Sequence, residues 1–203
     1  MPPPLPPKPL GTYLTGYPST EPSIEVHCYL DLVCPFSCKM FKMLYEQVVP
    51  TIKADPKKAT AIAIKIHHVV QPWHPTSALV HEAALAVKKV DTIEGYLEYV
   101  SWACKNYAEN GKFTDEDTWS KSREQIYDEL LAGSSKASEA KALLSLNGHG
   151  NGVTQDIKWA CKHHRAMGVH VTPTVFVNGI EAVQVSSGWN CDQWMELFET
   201  FDL

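Results

Sequence analysis

The sequence predicts an α/β fold in three parts: a β-α-β unit, a long helical insertion and a closing β-β-α unit. Three observations carry this. Ile24, Val26, Cys28 and Leu30 alternate with Glu25, His27 and Tyr29, a period-two strand. Phe36, Met40, Leu44 and Val48 then recur every fourth residue, the apolar face of a helix. Far down the chain, residues 173–177 form a β-branched run followed by the hairpin dipeptide Asn178-Gly179.

Taken in order, residues 1–22 are a Pro-rich arm, suited to extended polyproline II or disorder. Pro3, Pro6 and Lys8 fit a PxxPx-basic pattern that SH3-type domains read, although such patterns arise easily in any Pro-rich tail. Residues 23–75 form the β-α-β unit. The first strand is 23–33, and the helix runs from about 35 to 53, before Asp55-Pro56. Residues 59–70 are apolar and partly β-branched, a buried second strand parallel to the first.

From 76 to 167 the pattern is almost wholly helical. Segments 77–90 and 92–110 come first, the latter stopped by Asn110-Gly111. Thr114 to Asp117 opens another helix with acids in its first turn, and 123–131 continues it or forms a further one. Gly133-Ser134-Ser135 interrupts, 138–146 resumes, 147–152 is a Gly/Asn turn, and 153–167 is the last helix of the block. Residues 168–203 hold the hairpin, with 180–185 as partner strand, and a final helix capped by Asn190.

The chain has 203 residues, 44% hydrophobic and 20% charged, an ordinary globular balance with room for a sizeable core. A net charge of -5 with no basic cluster argues against nucleic acid as partner, and no apolar run approaches membrane-span length. The first residues lack the apolar core and cleavage site of a signal peptide. Six scattered cysteines without paired CxxC knuckles therefore point to a reducing, cytoplasmic setting rather than to a disulfide framework or structural zinc. His163, His164, His170 and Cys161 fit no zinc spacing, and no metal is expected.

Chemistry concentrates at Asp31-Leu32-Val33-Cys34-Pro35-Phe36-Ser37-Cys38. Cys34 falls where a strand ends and a helix begins, and Pro35 suits the first helical position because its missing N–H would have had no partner there. A cysteine at a helix N-terminus faces free backbone N–H groups and the positive end of the dipole, which favour thiolate. Cys28, inside the strand, reads instead as a small buried hydrophobe. Ser37 either hydrogen-bonds the thiolate or bonds only backbone or water. Asp31 is a turn former or a group that orients the loop and moves protons. Gln71-Pro72-Trp73-His74-Pro75 follows the second strand at the same end of the sheet, placing Trp73 and His74 either in the wall of a substrate cleft or in a packed corner.

The Cys34-Pro35-Phe36-Ser37 element, the segment from Val171 to Gly179 and the order of elements from about residue 23 onward together resemble the DsbA-like class of thioredoxin-fold proteins. That resemblance implies a thioredoxin-like fold with an inserted α-helical domain and a thiol–disulfide oxidoreductase activity. It implies a cis Pro173 beside Cys34, with Thr172 offering backbone hydrogen bonds to a substrate; Pro35 and Phe36, with Trp73 and His74 from the loop after the second strand, are the candidate substrate-binding residues. A trans proline opening a strand is the alternative for position 173. Dithiol members of the class read Cys-Pro-x-Cys, whereas Ser37 stands in the fourth position here. The element is also similar to the Ser-Pro-Tyr-Ser of kappa-class glutathione transferases.

A single thiol needs a second one to release a mixed disulfide. Glutathione is the expected co-substrate, with no bound cofactor and with a peptide or small thiol or disulfide as substrate. Cys38 is either the resolving thiol or a side chain packed under the helix. Its Cα lies roughly 6 Å from that of Cys34 in a helix, but the parallel Cβ vectors require the first turn to open before the two can bond. A redox-silent binding module that keeps the groove, and a glutathione-dependent transferase or isomerase, are the alternative functions.

Overall fold

In the computed structural model, which describes residues 4–201, five strands form one sheet in the order β1 (Thr12–Tyr13), β3 (Ile62–His68), β2 (Ile24–Leu30), β4 (Thr174–Val177) and β5 (Ile180–Glu181). Pro3 of the proline pattern lies outside the described residues. Strands β2 (Ile24–Leu30) and β3 (Ile62–His68) run parallel, with Val26 beside Ile64 and Cys28 beside Ile66. On the other side of β2 lies antiparallel β4 (Thr174–Val177), with Val175 beside Cys28. The hairpin turns through Asn178 and Gly179, both at positive φ (48° and 81°), into β5 (Ile180–Glu181).

Neighbouring residues in register share a face of the sheet. Ile24, Val26, Cys28, Ile62, Ile64, Ile66, Val175 and Val177 therefore line one apolar face. They share a core with Phe41, Leu44, Val48, Ile52, Trp194 and Phe198. These come from α1 (Pro35–Met43), a π-helical turn (Leu44–Val48), α2 (Val49–Ala54) and α10 (Cys191–Glu199). The π turn has a local cause. Pro50 cannot donate to the carbonyl of Glu46 and its ring would crowd it, so the turn widens and the Val49 amide reaches Leu44. On the opposite face, Tyr29 and His67 stack at 4.7 Å, and His163 of α9 (Thr154–Ala166) lies 4.9 Å from His67.

The insertion comprises α4 (Ser77–Val90), α5 (Ile93–Asn110), α6 (Asp115–Thr118), α7 (Arg123–Leu131), α8 (Ala137–Leu144) and α9. Gly111 ends α5 at φ 62°, a left-handed stop. Ser122 and Gln125 form a capping box that makes α7 a helix of its own rather than a continuation of α6. Helix α4 packs against α5, α7, α8 and α9 and is the insertion's central element. No helix among the described residues is long and apolar enough to cross a membrane.

Three local expectations change. Residues 59–61 belong to a short helix, α3 (Pro56–Ala61), because Asp55 caps it by accepting the amides of Lys57 and Lys58. The second strand of the hairpin is two residues, not six. The Pro-rich arm also contributes a strand, β1 (Thr12–Tyr13), paired antiparallel with the outer side of β3. The arm is fastened further by Trp159 Nε1, which donates to the carbonyl of Pro4 at 2.6 Å, and by Lys88 Nζ, which donates to that of Gly11 at 3.1 Å.

Candidate active site

The site begins where β2 ends. The last residues of a parallel strand enter the loop before α1, and Cys34 becomes the N-cap of that helix with Pro35 behind it. The amide of Cys34 donates to the Asp31 carbonyl at 3.1 Å, and the amide of Cys38 to the Cys34 carbonyl at 2.9 Å, which fixes the first turn. Across a cleft, the Thr172–Pro173 bond is cis, and the Cys34 thiol donates to the carbonyl of Thr172 at 3.4 Å. Sequence-distant segments thus meet at the sulfur. Cys34 itself is 5% exposed, while Phe36 (61%), Trp73 (56%) and Val171 (59%) stand out around it.

Asp31 is the electrostatic centre of the loop. It is fully buried and accepts from five groups. The Val33 amide (3.1 Å), the Ser77 hydroxyl (2.9 Å) and His81 Nε2 (3.2 Å) meet Oδ1. The Gln71 amide (3.3 Å) and His74 Nδ1 (2.8 Å) meet Oδ2. Burial alone would raise its pKa. The bond and charge of His81, then the bonds from His74 and Val33, outweigh burial and hold the carboxyl below its usual range.

The polar contact continues inward. His81 Nδ1 lies 2.6 Å from His68 Nδ1, and His68 Nε2 lies 2.8 Å from the Tyr96 hydroxyl, all buried. With Asp31 ionised, His81 Nε2 carries the proton. Its Nδ1 then accepts from His68, whose Nε2 in turn accepts from Tyr96. Every bond points one way. A proton placed on Asp31 reverses the chain, and His81 Nε2 then accepts from the Leu32 amide, 3.3 Å away. Burial, followed by the neighbouring His81, keeps His68 neutral by lowering its pKa well below the histidine range.

The other expected residues divide. Trp73 and His74, with Val33, Tyr107 and Glu116, line a cleft of about 200 Å³. Ser37 is buried and its Oγ accepts the Asp31 amide at 3.3 Å; it braces the loop through backbone. Cys38 lies under the helix, donates to the Leu32 carbonyl at 3.4 Å and neighbours Cys104 of α5. That thiol and burial raise the Cys38 pKa, and Cys38 is buried at the α1–α5 contact.

Ser77, His81, His68 and Tyr96 were not among the residues picked from the sequence. The signal was present in α4, where His81 interrupts an otherwise apolar stripe of Val80, Ala84 and Val87. A histidine buried on such a stripe needs a partner.

No protein-family model and no curated protein matches the chain. Solved structures do. A candidate protein-disulfide isomerase from Pseudomonas syringae superposes with a TM-score of 0.72 at 22% identity, covering 86% of this chain and 93% of that one. The thiol–disulfide exchange protein α-DsbA2 from Wolbachia pipientis gives 0.60 at 16% identity, over 94% and 86% of the two chains. Chlamydia trachomatis DsbA gives 0.59 at 14% identity, over 90% and 88%. The chain has a thioredoxin-like fold with an inserted helical domain, the fold it shares with these solved structures, among them a DsbA and a thiol–disulfide exchange protein.

Proposed function

We propose that the protein is a thiol–disulfide oxidoreductase that works through Cys34 alone and uses glutathione to complete its cycle. The observation that carries the reading is the meeting of the Cys34 thiol, at the head of α1, with the Thr172 carbonyl next to cis Pro173. Cys34 thiolate attacks one sulfur of a disulfide, forms a mixed disulfide and expels the other sulfur as a thiolate. Glutathione thiolate then attacks the mixed disulfide, regenerates Cys34 and leaves with the second sulfur. In this reading the Thr172 carbonyl and amide hold an extended substrate backbone in the manner of a sheet edge. The exposed Phe36, Trp73 and Val171 suit an apolar peptide segment beside the reacting sulfur.

Two features favour a single-thiol cycle. Ser37 occupies the place of the second thiol and is held by the Asp31 amide, while Cys38 is committed to the core. In this reading the scattered cysteines, none bonded to another among the described residues, work in a reducing, glutathione-holding compartment such as the cytoplasm. Use of glutathione also fits the likeness of Cys-Pro-Phe-Ser to the kappa-class transferase element.

The test is mass spectrometry of the protein after exposure to glutathione disulfide. One glutathione adduct on Cys34, absent in Cys34→Ala, is expected, with exchange activity abolished in the same variant. An adduct confined to Cys161 or Cys191, or full exchange in Cys34→Ala, overturns the proposal. The low exposure of Cys34 favours a second reading, a redox-silent module that holds a peptide in the same groove. Slow alkylation of Cys34 by iodoacetamide at neutral pH selects that reading instead.

A further inference from the structure

The molecule holds a second concavity that the thiol site does not use. A cavity of about 880 Å³ lies beneath the N-terminal arm, bounded by the arm, β3, α4, the start of α5 and α9. That volume is in the range of sites for small organic ligands. Most of its wall is apolar: Leu10 from the arm, Leu85 from α4, Ile93 from α5 and Trp159 from α9. Four lysines line the same cavity, and their settings differ: Lys8, on the arm, is exposed and has no ion pair among the described residues. Lys89 is paired with Asp156 at 2.9 Å. Lys65 lies 3.9 Å from Glu25 and over the ring of Tyr13. Lys88 is half-buried and has no ion pair among the described residues. Its single hydrogen bond goes to the Gly11 carbonyl.

We infer that this cavity binds a small apolar molecule bearing one carboxylate, with the carboxylate on Lys88 Nζ and the apolar body against Leu10, Leu85, Ile93 and Trp159. An ammonium has three N–H donors, and Gly11 takes one. The remaining two are available to the two oxygens of a carboxylate. A half-buried cation without a counter-charge is costly, and a bound anion supplies that charge from within the cavity. The same imbalance acts on the lysine itself. Burial lowers Lys88 to about 8, with Asp156 opposing and Lys65 adding to the fall. A neutral apolar ligand would fill the walls and leave the cation unmet. Lys8 is exposed to solvent, so a dianion would exceed the one half-buried cation left without an ion pair.

Octanoate, 1-octanol and octylamine, titrated into the full chain by calorimetry, test the inference. Octanoate is expected to bind saturably with one equivalent, more tightly than 1-octanol, and octylamine not at all. Lys88→Met should weaken octanoate about ten-fold or more and leave 1-octanol unchanged, because only the charge-assisted bonds are removed. Lys89→Met should change octanoate binding by less than about three-fold, since that charge is already paired. Far-UV circular dichroism checks the fold of each variant, and Lys88→Gln serves where Met disturbs it. No saturable octanoate binding, equal binding of octanoate and octanol, or unchanged octanoate binding in a folded Lys88 variant overturns the assignment. Cys34→Ala should leave all three titrations as they are, so failure here is separate from failure of the thiol chemistry.

Discussion

Replacing Asp31 by Asn keeps the shape of the side chain and removes one acceptor. The magnitude follows from the donors around it. Oδ1 receives the Val33 amide, the Ser77 hydroxyl and His81, and Oδ2 receives the Gln71 amide and His74. A hydroxyl can rotate and an imidazole can change tautomer, but a backbone N–H can only donate. Whichever way the Asn amide turns, its NH₂ faces either the Val33 or the Gln71 amide, and one buried N–H is orphaned. That costs about 1–3 kcal/mol, and the surviving bonds fall from charge-assisted to neutral strength. The expected loss is about 2–4 kcal/mol, or a Tm lower by about 4–16 °C for a chain of this length.

Urea unfolding and calorimetry of Asp31→Asn and the parent check it. The difference also has a pH signature. A carboxyl whose folded pKa lies below its unfolded value of about 3.9 contributes in full above that value, and the contribution is lost as pH falls through the folded pKa. The gap between the two proteins should therefore be flat from about pH 5 to 8 and narrow below about pH 4. A variant within about 0.5 kcal/mol of the parent at pH 7 would refute the account of Asp31 as a buried, fully engaged carboxylate.

Buried histidines give a second dependence. Burial, with His27 and His163 adding, lowers His67 to about 2, and His68 is lowered for the reasons given above, so below about pH 6.5 only the unfolded chain gains these protons. Stability should be level above about pH 7.5 and fall by about 2.7 kcal/mol per pH unit well below 6.5, as denaturation at pH 7.5, 6 and 5.5 would show; a level profile contradicts the buried neutral rings. Ser37→Cys should form a disulfide with Cys34, seen as the loss of two hydrogens in mass, and gain exchange without glutathione. Failure to bond under mild oxidation refutes the claim that only the serine withholds the dithiol cycle. Gly133→Ala should destabilise by about 1–3 kcal/mol, because a Cβ there would lie 2.1 Å from the indole of Trp102, which stacks on Tyr99; unchanged urea unfolding would show that the indole moves aside freely.

Much of this was legible in the sequence because local signals and long-range packing agree. Alternation through Ile24–Leu30 and the four-residue repeat from Phe36 read directly as β2 and the helix that follows. The candidate site could be anticipated from Cys34 and Pro35 at a strand-to-helix junction, whereas the cis Pro173 beside them followed only from the resemblance to DsbA-like proteins. What escaped depends on partners far along the chain. Ser77, His81 and His68 become site residues only when α4 folds beside the loop of Asp31, and sequence spacing carries no trace of that approach. The helix over 56–61 was hidden because Ala59, Thr60 and Ala61 run without a break into the apolar strand that follows, and the Asp55 cap decided the assignment. Composition suggested an extended or disordered arm, yet two of its residues pair with β3.

That pairing has a consequence for how the molecule behaves among its own copies. Without the arm, β3 would present Ile62, Ile64 and Ile66 along an open row of backbone donors and acceptors, a template on which another chain could add. Thr12 and Tyr13 occupy part of the row, the Leu14 amide takes the Ile64 carbonyl at 2.8 Å, and the Thr15 hydroxyl receives the Ile64 amide at 3.2 Å. At the far side, β5 is only two residues long and offers little to copy. The arm thus acts as a stopper on lateral growth of the sheet. A protease that clipped it would spare the thiol centre and yet turn a self-contained sheet into a seed for aggregates.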